Sequence, residues 1–217
     1  MMLLRAAIVL LTIGVLFAVF CLVPPAEGLG YYVRLAFFHI PVAWVAVLAF
    51  LMSAYYGVRY LSKQELRSDR LSAASIRLGF IFVLLATLSG ALFSKLTWGA
   101  YWNWDPRQTT IFVLLLIYGA YLTLRSALSG ADRARRARVC AVYALFSFLT
   151  VPFLVFIVPR LYFSLHPQPV LNAAGHIDME PVMLATLLAA LLDATCIYLY
   201  FLYRGVKELP AGGKRHE

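Results

Sequence analysis

Six apolar runs, each near the length a helix needs to cross a bilayer, dominate this chain: 4–23, 36–61, 76–96, 109–128, 139–158 and 182–203. A spanning helix takes about 20 predominantly apolar residues. Six of them use nearly all of the 217 residues and leave no room for a separate soluble domain. Composition agrees, at 63% hydrophobic, 13% charged and a mean hydropathy of +0.82, since a soluble domain could not keep that much apolar surface from water. The expected fold is an all-α integral membrane protein of six transmembrane helices, with residues 1–217 as a single polytopic domain. The first run follows a single Arg5 and exceeds the roughly 7–15 apolar residues of a signal peptide, so a retained span is expected rather than a cleaved signal. Pro24-Pro25 ends that span. Pro41 falls in about the first turn of the second, where proline is tolerated. Pro152 should kink the fifth unless a neighbour satisfies the freed carbonyl.

Sidedness follows from the cations. Of the 19 Lys and Arg residues, all but Arg34, Lys95, Arg107 and Arg160 fall in loops two and four or at the termini. Both termini are therefore expected on the cytoplasmic side, with loops one, three and five outside. The net charge of +9 is spread as a membrane protein needs, and nucleic acid is a poor reading of it. Cys21, Cys140 and Cys196 each stand alone in apolar sequence, with no CxxC or CxxCH. They read as small buried hydrophobes rather than a dithiol or a covalent haem site.

Loop three, 97–109, holds three of the four tryptophans: Trp98, Trp102 and Trp104. If the segment from Trp98 is helical, Trp98 and Trp102 share one face. Asp105-Pro106 reads as a helix start: Asp105 as N-cap, Pro106 at the first position, Gln108 where a capping box wants Glu or Gln. Tryptophan also collects at headgroup level in ordinary membrane proteins, but three on one short loop with embedded charges exceed what such a belt needs. On the expected topology His39, His166 and His176 face the same side as this loop, and only His216 is inside. Imidazole is a common axial haem ligand. Two histidines with aromatic walls between them could hold a porphyrin, its propionates paired with Arg107, Lys95, Arg34 or Arg160. Each histidine alone is more often an interfacial residue. Zinc on His39, His166 and His176 lacks any supporting spacing. No P-loop or Ser/His/Asp order is present, so ATP hydrolysis by a recognised route is excluded. Asp193, midway along the sixth span, is costly at that depth. It serves either a proton or solute path, or a hydrogen bond to Thr195, Tyr198 or a neighbouring helix.

The stretch TWGAYWNWDPRQT closely resembles the WWD signature of membrane haem-handling proteins, and within that group the chain resembles the CcmC, or haem exporter protein C, family. The likeness covers nearly the whole chain. AFFHIPVAWVAVL resembles that family's second span, and SLHPQPVL its loop-five histidine motif. The resemblance implies that His39 and His166 are axial ligands of haem b, and that Trp98, Gly99, Trp102, Trp104, Asp105 and Arg107 form the WWD platform. It further implies a bacterial inner membrane location with the loop facing the periplasm. The implied role is delivery of haem to the chaperone CcmE alongside CcmD and the ABC components CcmA and CcmB, with no bond-making by this chain. Two departures stand out. Tyr162-Phe163 occupy a place where members often have tryptophans, and Pro106 one where many have alanine. The Pro-x-x-Thr after the aspartate is also seen in the sister family CcsA, whose members have more spans; CcmF relatives are larger. Alternatives from other classes are a CcsA-like synthase component, an electron-transfer cytochrome b, a solute transporter using Asp193, and a structural subunit with the aromatic loop as a docking surface.

Overall fold

The computed structural model describes residues 2–166 and 179–207. Six helices long and apolar enough to cross a membrane run α1 (Met2–Leu22), α2 (Tyr31–Lys63), α3 (Leu66–Trp98), α4 (Pro106–Gly130), α5 (Arg133–Leu161) and α6 (Pro181–Lys207). Each expected span falls within one of them, save that the first helix ends one residue short of Val23. The helices outrun the apolar runs because polar residues continue the same helix beyond the hydrocarbon: α3 begins ten residues before the run at 76, with Asp69 in its first turn. The first turn of α2 is a 3-10 segment, Tyr31–Leu35, which leaves Pro41 inside the helix proper.

Pro152 has a clear local effect. Its missing N–H breaks the regular ladder, and the backbone widens to a π-helical turn over Phe153–Ile157 before closing again as α-helix at Val158–Leu161. Such single π turns let a helix absorb a lost bond without stopping.

In lipid, helices gain little from burying apolar area against one another, and packing and interhelical hydrogen bonds hold them together. The core follows that rule. Val45, Ala49 and Phe50 of α2 meet Ile76 and Val83 of α3, Leu114 and Tyr118 of α4, and Tyr198 of α6. The Phe50 and Tyr118 rings stack, with centroids 3.5 Å apart. Polar pairs cross the same interfaces: Ser53 with Ser72, Tyr56 with Tyr203, Ser75 with Tyr198, and Asp69 with Arg125. Helix α1 lies at the edge, packed on α6 through Val15, Val19, Leu187 and Ala190. Of the partners open to Asp193, α1 supplies the one used: the Thr12 hydroxyl lies 2.9 and 3.0 Å from the two carboxylate oxygens. Thr195 bonds its own helix at Leu191 and Tyr198 goes to Ser75.

Candidate functional site

The tryptophan loop is built by the way α3 stops. Gly99 takes φ +83°, a left-handed C-terminal position that glycine adopts without strain, and its N–H bonds Lys95 O at 3.2 Å. Trp98 is thus the last helical residue, so Trp98 and Trp102 do not share a helix face. The intervening chain is tied to itself. Ser94 Oγ donates to Ala100 O at 2.7 Å, Asn103 Nδ2 donates to Ser94 Oγ at 2.8 Å, and Asn103 N donates to Gln108 Oε1 at 2.8 Å. Gln108 therefore reaches back past the N-cap to Asn103 rather than closing a capping box on Asp105. The rest of the helix start is as its residues suggest. Pro106 opens α4, and the Asp105 carboxylate accepts the Arg107 N–H at 2.9 Å.

Asp105 does more than cap. It is 4% exposed and joins loop three to the chain beyond α5. The Ser164 hydroxyl lies 2.9 Å from Oδ2, and the Leu165 N–H donates to the same oxygen at 2.7 Å. His166 Nδ1 lies 3.2 Å from Oδ1, within ion-pair reach but off the direction of a well-formed hydrogen bond. Trp98 packs on the His166 ring at 5.4 Å and on Phe93 at 5.7 Å. Trp102 sits edge-on to Trp104 at 5.9 Å and to Phe112 at 6.2 Å. Trp104, at φ +55°, is 74% exposed.

His39 arrives from the opposite side of the site. It is the fourth residue of the α-helical part of α2, and its Nδ1 lies 3.1 Å from Ser89 Oγ on α3. Beside it, a Cβ on Gly90 would fall 2.9 Å from His39 Cε1. The glycine is thus required for the ring to lie against α3.

Between the two imidazoles opens a cleft of about 140 Å³. His39, His166, Trp102, Arg107, Val155 and Pro159 are on its walls. Val155 comes from the π turn that Pro152 induces. The site residues thus divide. His39, His166, Trp102 and Arg107 face the cleft, Trp98 and Asp105 back His166, Gly99 shapes the turn, and Trp104 stands outside. Arg107 Nε is buried without a hydrogen-bond partner. Of the other three cations expected on the same side, Lys95 donates to Gly99 O at 2.9 Å, Arg34 lies over Tyr31 at 4.4 Å, and Arg160 bonds Phe156 O. Among the described residues no three His, Cys, Asp or Glu are grouped to hold a metal ion. His176 and His216 lie outside the described residues. Ser89, Gly90 and Ser164 were not picked out by sequence reasoning. Their only signal was a small polar pair inside an apolar run and a serine two places before a histidine.

Burial drives the pKa of His166 from the ordinary 6.5 down to about 4. The Asp105 carboxylate opposes the shift and Arg107 adds to it. The Asp105 carboxyl is itself pushed up by burial, but the Arg107 and Leu165 N–H groups, the Ser164 hydroxyl and His166 outweigh that and hold it below its usual value. His166 is therefore a neutral imidazole with a lone pair to offer at physiological pH. Between pH 4 and 6.5 the unfolded segment binds the proton more readily than the folded one, so acidification through that window loosens the loop, and above it the cost is absent. Asp105 acts in the same direction at lower pH, its stabilisation being lost as the carboxylate takes up a proton. Ring NMR of selectively labelled protein should place the His166 midpoint near 4; a midpoint at the ordinary 6.5 or above would show a solvated ring.

Cytochrome c biogenesis proteins share part of this chain. It is 35% identical over 112 residues to the cytochrome c biogenesis protein CcsA of Arabidopsis thaliana, which is 52% of this chain and 31% of that protein. It is 30% identical over 131 residues to heme exporter protein C of Paracoccus denitrificans, and that match spans about half of the relative, 54%, and 59% of this chain. With heme exporter protein C of Bradyrhizobium diazoefficiens it shares 28% identity over 193 residues, covering 89% of this chain and 72% of the relative. The family model for CcmC, heme exporter protein C, matches residues 1–210, nearly the whole length: the chain belongs to the CcmC family.

Proposed function

We propose that this chain holds haem b as transient cargo at the outer face of a bacterial inner membrane and passes it to the chaperone CcmE during cytochrome c maturation. One observation carries the reading. Two imidazoles from distant parts of the chain, His39 of α2 and His166 beyond α5, line one open cleft walled by Trp102. His39 and His166 are the iron ligands. Trp102 covers the macrocycle, Trp98 and Asp105 hold His166 in place, and Gly99 and Trp104 complete the WWD platform. The donor set suits the group: neutral imidazole is an ordinary axial ligand, and a buried arginine with an unspent Nε matches a propionate. Trp104, exposed beside Trp102, is placed to meet a partner at the rim.

The role combines retention with release. Ligation and stacking hold the cargo, and the open side of the cleft leaves a face for CcmE to approach, after which ligand exchange completes transfer. CcmD, CcmA and CcmB are the expected co-workers, and loops one, three and five face the periplasm. This chain makes no bond on the porphyrin. The likeness to CcsA supports a shared haem platform, and no histidine of the sequence lies mid-span, which argues against an electron-transfer cytochrome b. Asp193 is already engaged by Thr12, which leaves little support for a solute path.

Absorption spectra of the detergent-purified protein, oxidised and reduced, beside His39→Ala and His166→Ala, test the proposal. A low-spin haem b spectrum in the wild type, disturbed in both variants and coupled to failed loading of CcmE, is expected. A featureless spectrum after haem is supplied, or full CcmE loading by both variants, would sink it.

A further inference from the structure

We infer that Ser89 is the positioning residue for His39, setting the ring so that Nε2 carries the bare lone pair. The inference rests on reading His39 as an iron ligand. Ser89 Oγ has three polar neighbours: Leu85 O at 2.7 Å, Ala86 O at 3.2 Å and His39 Nδ1 at 3.1 Å. The two carbonyls can only accept. If the single hydroxyl proton went to His39 Nδ1, the oxygen would sit 2.7 Å from the Leu85 carbonyl with no hydrogen between them. The arrangement that satisfies every group runs Nδ1–H of His39 to Ser89 Oγ, and the hydroxyl to Leu85 O.

Two consequences follow. Nε2 is left unprotonated and available to the cleft, since which nitrogen ligates is set by the bond the other makes. The ring also cannot swing away, because Gly90 lets it rest against α3 while Ser89 holds one edge. His166 repeats the pattern with a different partner. Its Nδ1 faces the Asp105 carboxylate, an acceptor only, so both imidazoles offer Nε2. The two histidines thus converge on one tautomer by unrelated means, a neutral hydroxyl and a buried anion.

The test uses the full-length haem-loaded protein. Outer partners of metal-bound histidines typically change affinity about 10- to 100-fold. Ser89→Ala should therefore release haem to an excess of apomyoglobin about tenfold faster, with part of the low-spin spectrum turning high-spin, and Ser89→Thr should restore both. Ser89→Ala behaving as wild type while His39→Ala is disturbed overturns this inference and leaves the haem-holding role standing. His39→Ala behaving as wild type overturns both. Equal disturbance in Ser89→Ala and Ser89→Thr shows that packing, not the hydroxyl, matters, and also overturns it. Ring ¹⁵N shifts of His39 in the haem-free wild type read the tautomer without any substitution. A protonated Nδ1 is expected, and a protonated Nε2 would refute the assignment.

Discussion

Asp105→Asn should weaken haem binding about 10- to 100-fold while leaving the fold intact. Asparagine is as good an N-cap as aspartate, so its Oδ1 can still take the Arg107 N–H and α4 keeps its start. What it cannot do is satisfy the far side. In the native loop the carboxylate accepts from Arg107 N, the Ser164 hydroxyl and Leu165 N, and lies 3.2 Å from His166 Nδ1. A carboxamide replaces one acceptor oxygen by an NH₂ donor. With Oδ1 kept on the Arg107 N–H, Nδ2 takes the place of the oxygen that accepts the Leu165 N–H and the Ser164 hydroxyl. Two donors then face each other at Leu165, and the segment that carries His166 loses its anchor on loop three. The loss is thus one of the placement of His166 rather than of the α4 start.

Haem titration and thermal unfolding of the same samples separate the two contributions. Weakened binding with a modestly lowered unfolding midpoint is expected for Asp105→Asn, because the Leu165 N–H loses its acceptor, about 1–3 kcal/mol if that group stays dry. Asp105→Ala should lower the midpoint further, because it also removes the cap, worth about 1 kcal/mol. Native haem affinity in Asp105→Asn would mean that His166 is held by Trp98 and its own backbone alone.

The parts of this protein that could be read from its residues are those fixed locally. Six spans follow from hydropathy, and the α4 start follows from Asp105-Pro106 because cap and capped N–H are two residues apart. The failure over Trp98 and Trp102 is instructive, since the stop signal was present. Gly99 is where the helix ends in the left-handed region, which outweighs the i, i+4 spacing of the two indoles. Other features were not legible, because each joins segments far apart in the chain. His39 meets Ser89 across 50 positions, Asp105 meets Ser164 across 59, and Thr12 meets Asp193 across 181. A polar residue in an apolar run says that a partner is needed and does not say which helix brings it. Asp193 showed that need clearly, and Ser89 hardly did, because serine can satisfy itself on its own helix.

The same limit hid a buried ion pair at the other end of the bundle. Asp69 opens α3 and Arg125 closes α4, and their side chains are 8% and 12% exposed. The guanidinium grips both carboxylate oxygens, at 2.8 and 2.7 Å, a paired geometry that lysine cannot reproduce. Tyr121 packs beneath, its hydroxyl 3.5 Å from Arg125 Nη1. Arg125→Met should cost about 3–5 kcal/mol, since the carboxylate is left dry and unmatched. Adding Asp69→Leu should recover most of that loss, because two apolar side chains of similar volume replace a pair whose attraction roughly offsets its own desolvation. Unfolding in mixed detergent micelles reads both effects. Haem binding should be unmoved in the double variant, as Ser89 and Gly90 lie on the same helix but well beyond the bridge. A double variant as unstable as Arg125→Met would show that the pair adds net stability rather than guarding against an unpaired charge. A single variant as stable as wild type would show that water already reaches Asp69.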